Sequence, residues 1–404
     1  MQSGYEKVAA IGVDVHYQFS TVTMRDSEAK VVRRERLEHR DRAQLRQRLS
    51  QWPAEAPVVL EASFGWGWLS DLLQEVGLQP VLSNCLKVEK IRKARGWAKT
   101  NRKDADLLSV LPFEKESWWK VWPAPPEVRD QRETMRYRSS LVGVQTGTKN
   151  RISALLHRHG ILHEFSDLFG VAGRKFLDEL GREGRWDQGE LLPGAVGALR
   201  GLLELLDHVR GQLAKIAREL RAQLEATPLT KRLDGIPGIG TILAHTLQAE
   251  IGQIERFRNG RALACYSLLA PMADDSGEED PGKAPLGRHL GTRGNRTLKW
   301  SMLEAAHGAV RKGGKWRKIF EQLTRGGRKN RNHGYIKVAR ELTKAVYVVW
   351  KKNVEYTDTP PARPGSRQPP APPPGGEREL AREYFGRTRS GTGQPSRPMA
   401  AVRQ

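Results

Sequence analysis

Three short segments near the start of the chain, residues 8–16 (VAAIGVDVH), 19–25 (FSTVTMR) and 30–37 (KVVRRERL), are rich in β-branched residues and separated by gaps too short for a crossover helix. They predict an antiparallel meander. A polar helix is expected over 41–50, followed by an apolar strand at 58–63 (VVLEAS), a helix from Trp66 to Val76, a strand at 80–85 (PVLSNC) and helices through 87–112.

The order β-β-β-α-β-α-β-α, a meander continued by parallel crossovers, is that of an RNase H-like α/β domain. From about 126 to 225 the pattern changes to Leu, Arg, Glu and Ala at helical spacing, predicting two or more long helices packed as an antiparallel hairpin or between subunits. A Gly-Pro-Gly turn in LDGIPGIGTILAHTLQAEI (233–251) separates apolar helical segments, and helices continue to Lys352. From Thr357 the chain reads PPARPGSRQPPAPPPGGE, too rich in proline to bury a core, so the tail is expected to be disordered apart from a short helix at 377–385. The resulting partition is an α/β domain over 1–115, a helical, coiled-coil-like region over 116–228, a mainly α C-terminal domain over 229–356 and a tail over 357–404.

Composition narrows the partner. Among 404 residues, 68 Lys and Arg outnumber 46 Asp and Glu, and the formal charge of +22 calls for a polyanion. No apolar run reaches the roughly 20 residues that span a bilayer, which favours nucleic acid over a membrane. The N-terminus lacks the features of a secretory signal, so a cytoplasmic location is expected. Cys85 and Cys265 are far apart and lack Cys-x-x-Cys spacing, which argues against a disulfide framework or a structural zinc site. Any metal must then be held by oxygen.

Two carboxylates stand out against that background. Asp14 interrupts the apolar strand VAAIGVDVH, and Glu61 ends the apolar strand VVLEAS. A lone buried carboxylate costs several kcal/mol unless paired or bound to metal. Asp104, in KTNRKDADLLSVL, opens the helix after the last strand of the domain. Each has an ordinary reading alone: an Asp ends a strand or caps a helix, and an acid in a first turn is favoured by the helix dipole. In an RNase H-like fold, however, the first strand, the fourth strand and this helix converge on one sheet edge. Three oxygen ligands there can hold Mg²⁺, with Mn²⁺ as a substitute, for phosphoryl transfer. Asp106 is a weaker alternate ligand on another side of the helix. Asn101, three positions before Asp104, shares its face but carries no charge.

At these residues the sequence resembles the DEDD-type transposases of bacterial insertion sequences, in the 110/1111 group that includes the bridge-RNA-guided recombinases. The matching pieces are IGVDVH at 11–16, LEAS at 60–63, KTNRKDA at 99–105, KNRI at 149–152, IPGIG at 236–240 and the stretch from Phe257 to Ala306. The resemblance implies a RuvC-like N-terminal domain in which Asp14, Glu61 and Asp104 are the first, second and last acids. The third acid of the family pattern corresponds here to Asn101, which leaves three charged ligands. It also implies a serine-containing C-terminal domain, with Ser276 in the Ser276-Gly277 pair as the nucleophile that links covalently to DNA. Read alone, DDSGEEDPG is a solvated acidic loop, and serine is a poor nucleophile unless a base or metal activates it. Ser276 lies more than 170 positions beyond Asp104, so the expected active site is composite, within one chain or across a dimer.

Nucleic-acid contacts are expected in two places. GIPGIG fits a helix-hairpin-helix, whose glycines, Gly238 and Gly240, let backbone N–H groups approach a phosphate; the alternative is a tight turn between packed helices. The clusters at 288–300, 311–318 and 325–340 interleave Lys and Arg with Trp and Tyr, giving Arg288, Arg293, Asn295, Arg296 and Lys299 as candidate contacts. The resemblance further implies a structured non-coding RNA as guide, a homodimer or homotetramer, and a prokaryotic, nucleoid-associated setting. Two alternatives accompany this reading: a RuvC-like structure-specific endonuclease that uses water in place of Ser276, and an inactive nucleic-acid-binding derivative, to which Asn101 would point.

Overall fold

Alternation along the first strands sets the two faces of a five-stranded sheet. In the computed structural model, which describes residues 5–98, 100–114, 119–271, 290, 294–326 and 330–358, the meander consists of β1 (Ala10–Val15), β2 (Phe19–Arg25) and β3 (Val31–Glu38). β4 (Pro57–Glu61) then pairs parallel to β1, and β5 (Gln79–Ser83) parallel to β4, giving the order β3-β2-β1-β4-β5. This mixed α/β sheet has the element order predicted from the hydrophobic pattern.

Ile11, Val13, Val58 and Leu60 face one way, where Leu45 and Leu49 of α1 (Arg42–Leu49) and Leu69 and Leu73 of α2 (Trp66–Glu75) complete a core. The intervening positions face the other way. There Val59 meets Val88 of α3 (Cys85–Ala94) and Leu107 and Leu108 of α4 (Asn101–Val110). Thr100 caps α4 by accepting from the Lys103 amide, and Asn84 caps α3 by accepting from Lys87.

Gly12 decides how closely α4 approaches. A Cβ at this position would overlap the Ser109 nitrogen and the Ala105 carbonyl, so the helix backbone lies directly on β1. Only glycine permits that contact.

Beyond the sheet run two long helices, α5 (Pro126–Arg158) and α7 (Pro193–Ala226), with α6 (Val171–Glu183) and a hairpin of β6 (Arg185–Trp186) and β7 (Gly189–Glu190) between them. Met135 near the start of α5 packs with Leu220 near the end of α7, while Ile152 and Leu156 near the end of α5 pack with Leu199 and Leu203 near the start of α7. The pair is therefore an antiparallel hairpin within one chain.

The third apolar cluster is helical throughout. It is built from α8 (Pro228–Asp234), α9 (Thr241–Ile251), α10 (Gly260–Tyr266), α11 (Arg296–Lys312), α12 (Gly314–Thr324) and α13 (Arg331–Lys352), around Leu247, Met302, Trp316 and Leu342. Trp316 is only 2% exposed, which corrects its expected part in a stacking surface. It repeats four residues before the buried Phe320, so both lie on the core face of α12. Trp300 of the neighbouring basic cluster is exposed.

The tail expectation, disorder with a short helix at 377–385, lies outside the described residues apart from Thr357 and Asp358. Among the described residues, no helix is long and apolar enough to cross a membrane.

Candidate active site

Parallel pairing of β1 and β4 places Val13 opposite Leu60, and one step on, at the same end of the sheet, come Asp14 and Glu61. Both belong to the face covered by α4. Gly12 shares that face with Asp14, because side chains alternate along a strand. The glycine that admits α4 thus also lowers its first turn, which carries Asp104, towards the two strand-end acids.

The electrostatics show the convergence. Burial, and beyond it the charges of Asp104 and Glu61, push the Asp14 carboxyl up to about 6, although the adjacent His16 works in the opposite direction. His16 Nε2 lies 3.0 Å from Asp14 Oδ2, and its ring packs against Phe19 at 4.9 Å. Among the described residues, no three His, Cys, Asp or Glu side chains are gathered tightly enough to hold one ion as they stand. The donor chemistry nonetheless suits a hard divalent cation: these are oxygen ligands, and their mutual repulsion is what bound positive charge would relieve.

Cys85, at the first position of α3, was not expected here. Its thiol donates to the Ala62 carbonyl (3.1 Å), and burial, followed by the neighbouring Glu61 charge, pushes it up to about 11. It is a neutral neighbour of Glu61 rather than a thiolate. The signal in the sequence was only that β5 ends where α3 begins.

Asp106 does not join the group. Its two oxygens accept from Arg34 Nε and Nη2, at 3.1 Å each, and from Thr23 Oγ1 at 2.8 Å. These bonds fasten α4 over β2 and β3, so the weak ligand assignment for Asp106 gives way to a structural role. Asn101 is exposed at the first position of α4, one turn before Asp104.

A cleft of about 1000 Å³ begins at Ala62, the residue after Glu61, and none of the three acids is in its lining. It runs from Ala62 and Trp66, past Lys87 of α3, to Arg132 and Arg136 of α5 and to Arg256, Asn295 and Arg296. Its far wall is held by Glu250, which is fully buried on α9. Glu250 accepts from Arg136 at 3.0 and 3.1 Å and from Asn295 Nδ2 at 2.7 Å, while Arg132 donates to the Ala249 carbonyl at 2.8 Å. Asn295 also caps α11 through the Leu298 amide, so it is a strut rather than a free contact. Arg296 is exposed and Lys299 half-buried on the same helix.

The remaining expected contacts divide. Gly238, with φ +85, is pressed against α11, where a Cβ would overlap the Ala305 carbonyl and the Ala309 nitrogen; it is needed for a tight turn between packed helices. Gly240 is exposed with open space around it. Ser276, Arg288 and Arg293 lie outside the described residues, but both ends of their segment are visible. Pro271 and Leu290 form a bridge, and Gly294 to Thr297 line the cleft.

Comparison with known proteins finds two matching stretches of the chain. A model for the DEDD transposases of the IS110 type, described as a transposase, matches residues 11–161, which contain all three acids. A second, described as the transposase IS116/IS110/IS902 family, matches residues 230–321. The chain belongs to the IS110-group transposases. A probable family 20 transposase of Pseudomonas aeruginosa is 25% identical over 75% of this chain and 85% of its own length. The transposase for insertion sequence element IS1328 of Yersinia enterocolitica is 25% identical over 74% and 83% respectively. That for IS1111A of Coxiella burnetii is 24% identical over 63% and 66%. The two matched regions of this transposase flank the cleft, one contributing Ala62 and Trp66 and the other Arg256 to Thr297.

Proposed function

We propose that this transposase cuts and rejoins the DNA strands of an insertion sequence at the edge of an RNase H-like, RuvC-like sheet, with Asp14, Glu61 and Asp104 as the ligands of a divalent cation, Mg²⁺ by preference. The observation that carries the proposal is their convergence: β1, β4 and α4 bring three acids to one sheet end, where burial, and after it the charges of Asp104 and Glu61, raise the Asp14 carboxyl to about 6. When bound, the cation supplies Lewis acidity at the phosphoryl group. The chain's own residues do the rest. Asp14, Glu61 and Asp104 would hold the cation through their carboxylate oxygens. His16 limits how Asp14 rotates, and Cys85 holds the backbone after Glu61 through the Ala62 carbonyl.

Ser276 is the nucleophile in this reading. Its Oγ bonds to phosphorus as a strand oxygen leaves, and a second strand's hydroxyl later reverses the link. Support comes from the bridge between Pro271 and Leu290, which draws the flanks of its segment together, and from Gly294 to Thr297, which follow the segment and line the cleft. Arg296 contacts phosphates in the cleft, and Lys299, Arg288, Arg293 and the open backbone at Gly240 are further phosphate contacts. A structured non-coding RNA selects the sites by base pairing, and two or more copies act together. Three domains complete the reading, a catalytic domain over 1–115, a helical region over 116–228 and a C-terminal domain over 229–356; three of the apolar clusters fall one in each, while Trp119 and Ala249 carry two smaller clusters across the boundaries.

The test is denaturing electrophoresis of reactions with labelled element ends and Mg²⁺. A protein–DNA adduct is expected with the parent and none with Ser276→Ala. Strand cleavage that continues at the parental rate in Ser276→Ala, with no adduct in either protein, would establish water as the nucleophile instead.

A further inference from the structure

About 20 Å along α11 from the cleft, at the 1.5 Å rise of a helix residue, lies a second cavity that the cutting and joining of strands does not use. It has a volume of about 410 Å³ and sits where α11, α12 and the start of α13 meet. His307, Arg311, Arg317, Glu321, Arg331 and Tyr335 give it its chemistry.

Its walls combine three features. The exposed His307 ring is backed edge-on by Tyr335, with centroids 3.9 Å apart, and Tyr335 rests on Phe320 at 4.6 Å. An aromatic stack anchored in the core therefore presents one ring to solvent. Arg311, Arg317 and Arg331 are exposed, and no ion pair engages them among the described residues. Glu321 is the one carboxylate in the lining. Three cations without a carboxylate partner around one small cavity select an anion, and a ring face beside them selects something flat.

We infer that this cavity takes a single unstacked nucleotide of a single-stranded nucleic acid: its base against His307, its phosphate among Arg311, Arg317 and Arg331, and its exocyclic amino group donating to Glu321. The volume is in the range of small-ligand sites, roughly 300–1,000 Å³. Paired bases in a duplex cannot present a face to a side chain, so the occupant must be unstacked. The Glu321 acceptor favours bases with an amino group, cytosine above uracil or thymine. The inference rests on this transposase binding nucleic acid, and it adds a second contact remote from the carboxylates.

The experiment measures fluorescence anisotropy of the full chain with labelled 12-mers: oligo-C and oligo-U RNA, oligo-dC and oligo-dT DNA, an abasic 12-mer and a 12-bp duplex. His307→Ala is expected to weaken oligo-C or oligo-dC binding about tenfold, the scale of one stacked base, and to leave the duplex and abasic strands within twofold. Glu321→Gln is expected to erase the preference for oligo-C over oligo-U. A greater loss with RNA than with DNA identifies RNA as the occupant, and the reverse identifies DNA. Arg331→Gln weakens the abasic strand as well, because it acts on phosphate. Both aromatic and charged variants alter exposed side chains, and an unchanged melting temperature confirms folding. Equal losses with His307→Ala for abasic and base-bearing strands, or no loss with either, overturns the inference. If the parent binds none of the strands and no duplex, the nucleic-acid reading itself fails, a different outcome from loss of the pocket alone.

Discussion

Replacing Asp14 with Asn removes a charge that burial opposes at the sheet edge. In the folded chain, burial first, and then the charges of Asp104 and Glu61 against the pull of His16, raise this carboxyl from 3.8 to about 6. A folded-state pKa above the unfolded one means that folding favours the protonated acid. Above pH 6 both states are ionised and the folded chain carries the full penalty; as pH falls from about 6 towards 3.8 the penalty disappears. At about 1.4 kcal/mol per pH unit this interval is worth roughly 3 kcal/mol, and water at the open sheet edge reduces it to about 2 kcal/mol. Asp14→Asn, nearly isosteric and neutral, should therefore raise the unfolding free energy by about 2 kcal/mol at pH 8 in EDTA. At pH 4 the advantage should be gone. Urea unfolding followed by tryptophan fluorescence reads both, since Trp66 and Trp68 pack on the same sheet. Adding Mg²⁺ reverses the order, because the parent gains from binding and the variant does not. A variant less stable than its parent at pH 8 in EDTA, or an advantage that persists at pH 4, refutes the reasoning.

Three further outcomes follow from the packing. Gly12→Ala pushes α4 off β1, and should lower stability by about 2 kcal/mol, the scale of overpacking a tight core, and abolish strand cleavage; denaturant unfolding with a cleavage assay checks both. Glu250→Ala leaves Arg132 and Arg136 facing an empty partner site in the wall of the cleft, at a cost of about 3 kcal/mol, measurable by unfolding and expected to weaken DNA binding. Cys85→Ser keeps the bond to the Ala62 carbonyl and should retain cleavage within about threefold, while Cys85→Val loses it and should fall at least about tenfold, the scale of losing a group that orients a metal ligand; single-turnover rates separate them.

Much of the sheet was legible because two-residue alternation states which face is buried. Asp14 and Glu61 drew notice by breaking apolar runs, and parallel pairing then fixes them side by side. What the sequence left open depends on distant partners. Glu250 reads as an ordinary helix acid in LQAEIGQ, and its ion pair comes from Arg136, 114 positions away. Asp106 looked like a spare ligand until Arg34 and Thr23, on two other strands, claimed its oxygens. Trp316 stood among lysines and arginines, yet the helical repeat to Phe320 turns it inward. Gly238 carried the pattern of a phosphate-binding turn, and its neighbour proved to be the backbone of α11. For Glu250, Asp106 and Gly238 the partner lay on another element, and for Trp316 the deciding residue was one turn along its own helix.

The central claim is that Asp14, Glu61 and Asp104 act as one metal site. Isothermal titration of the full-length parent and of Asp14→Asn, Glu61→Gln and Asp104→Asn with Mn²⁺ tests it directly at pH 8, above the Asp14 pKa of about 6. The account predicts saturable binding by the parent and a loss of affinity of at least about tenfold in every single variant, comparable with the loss of a supporting ligand contact. Parental affinity retained in any one of the three would contradict it.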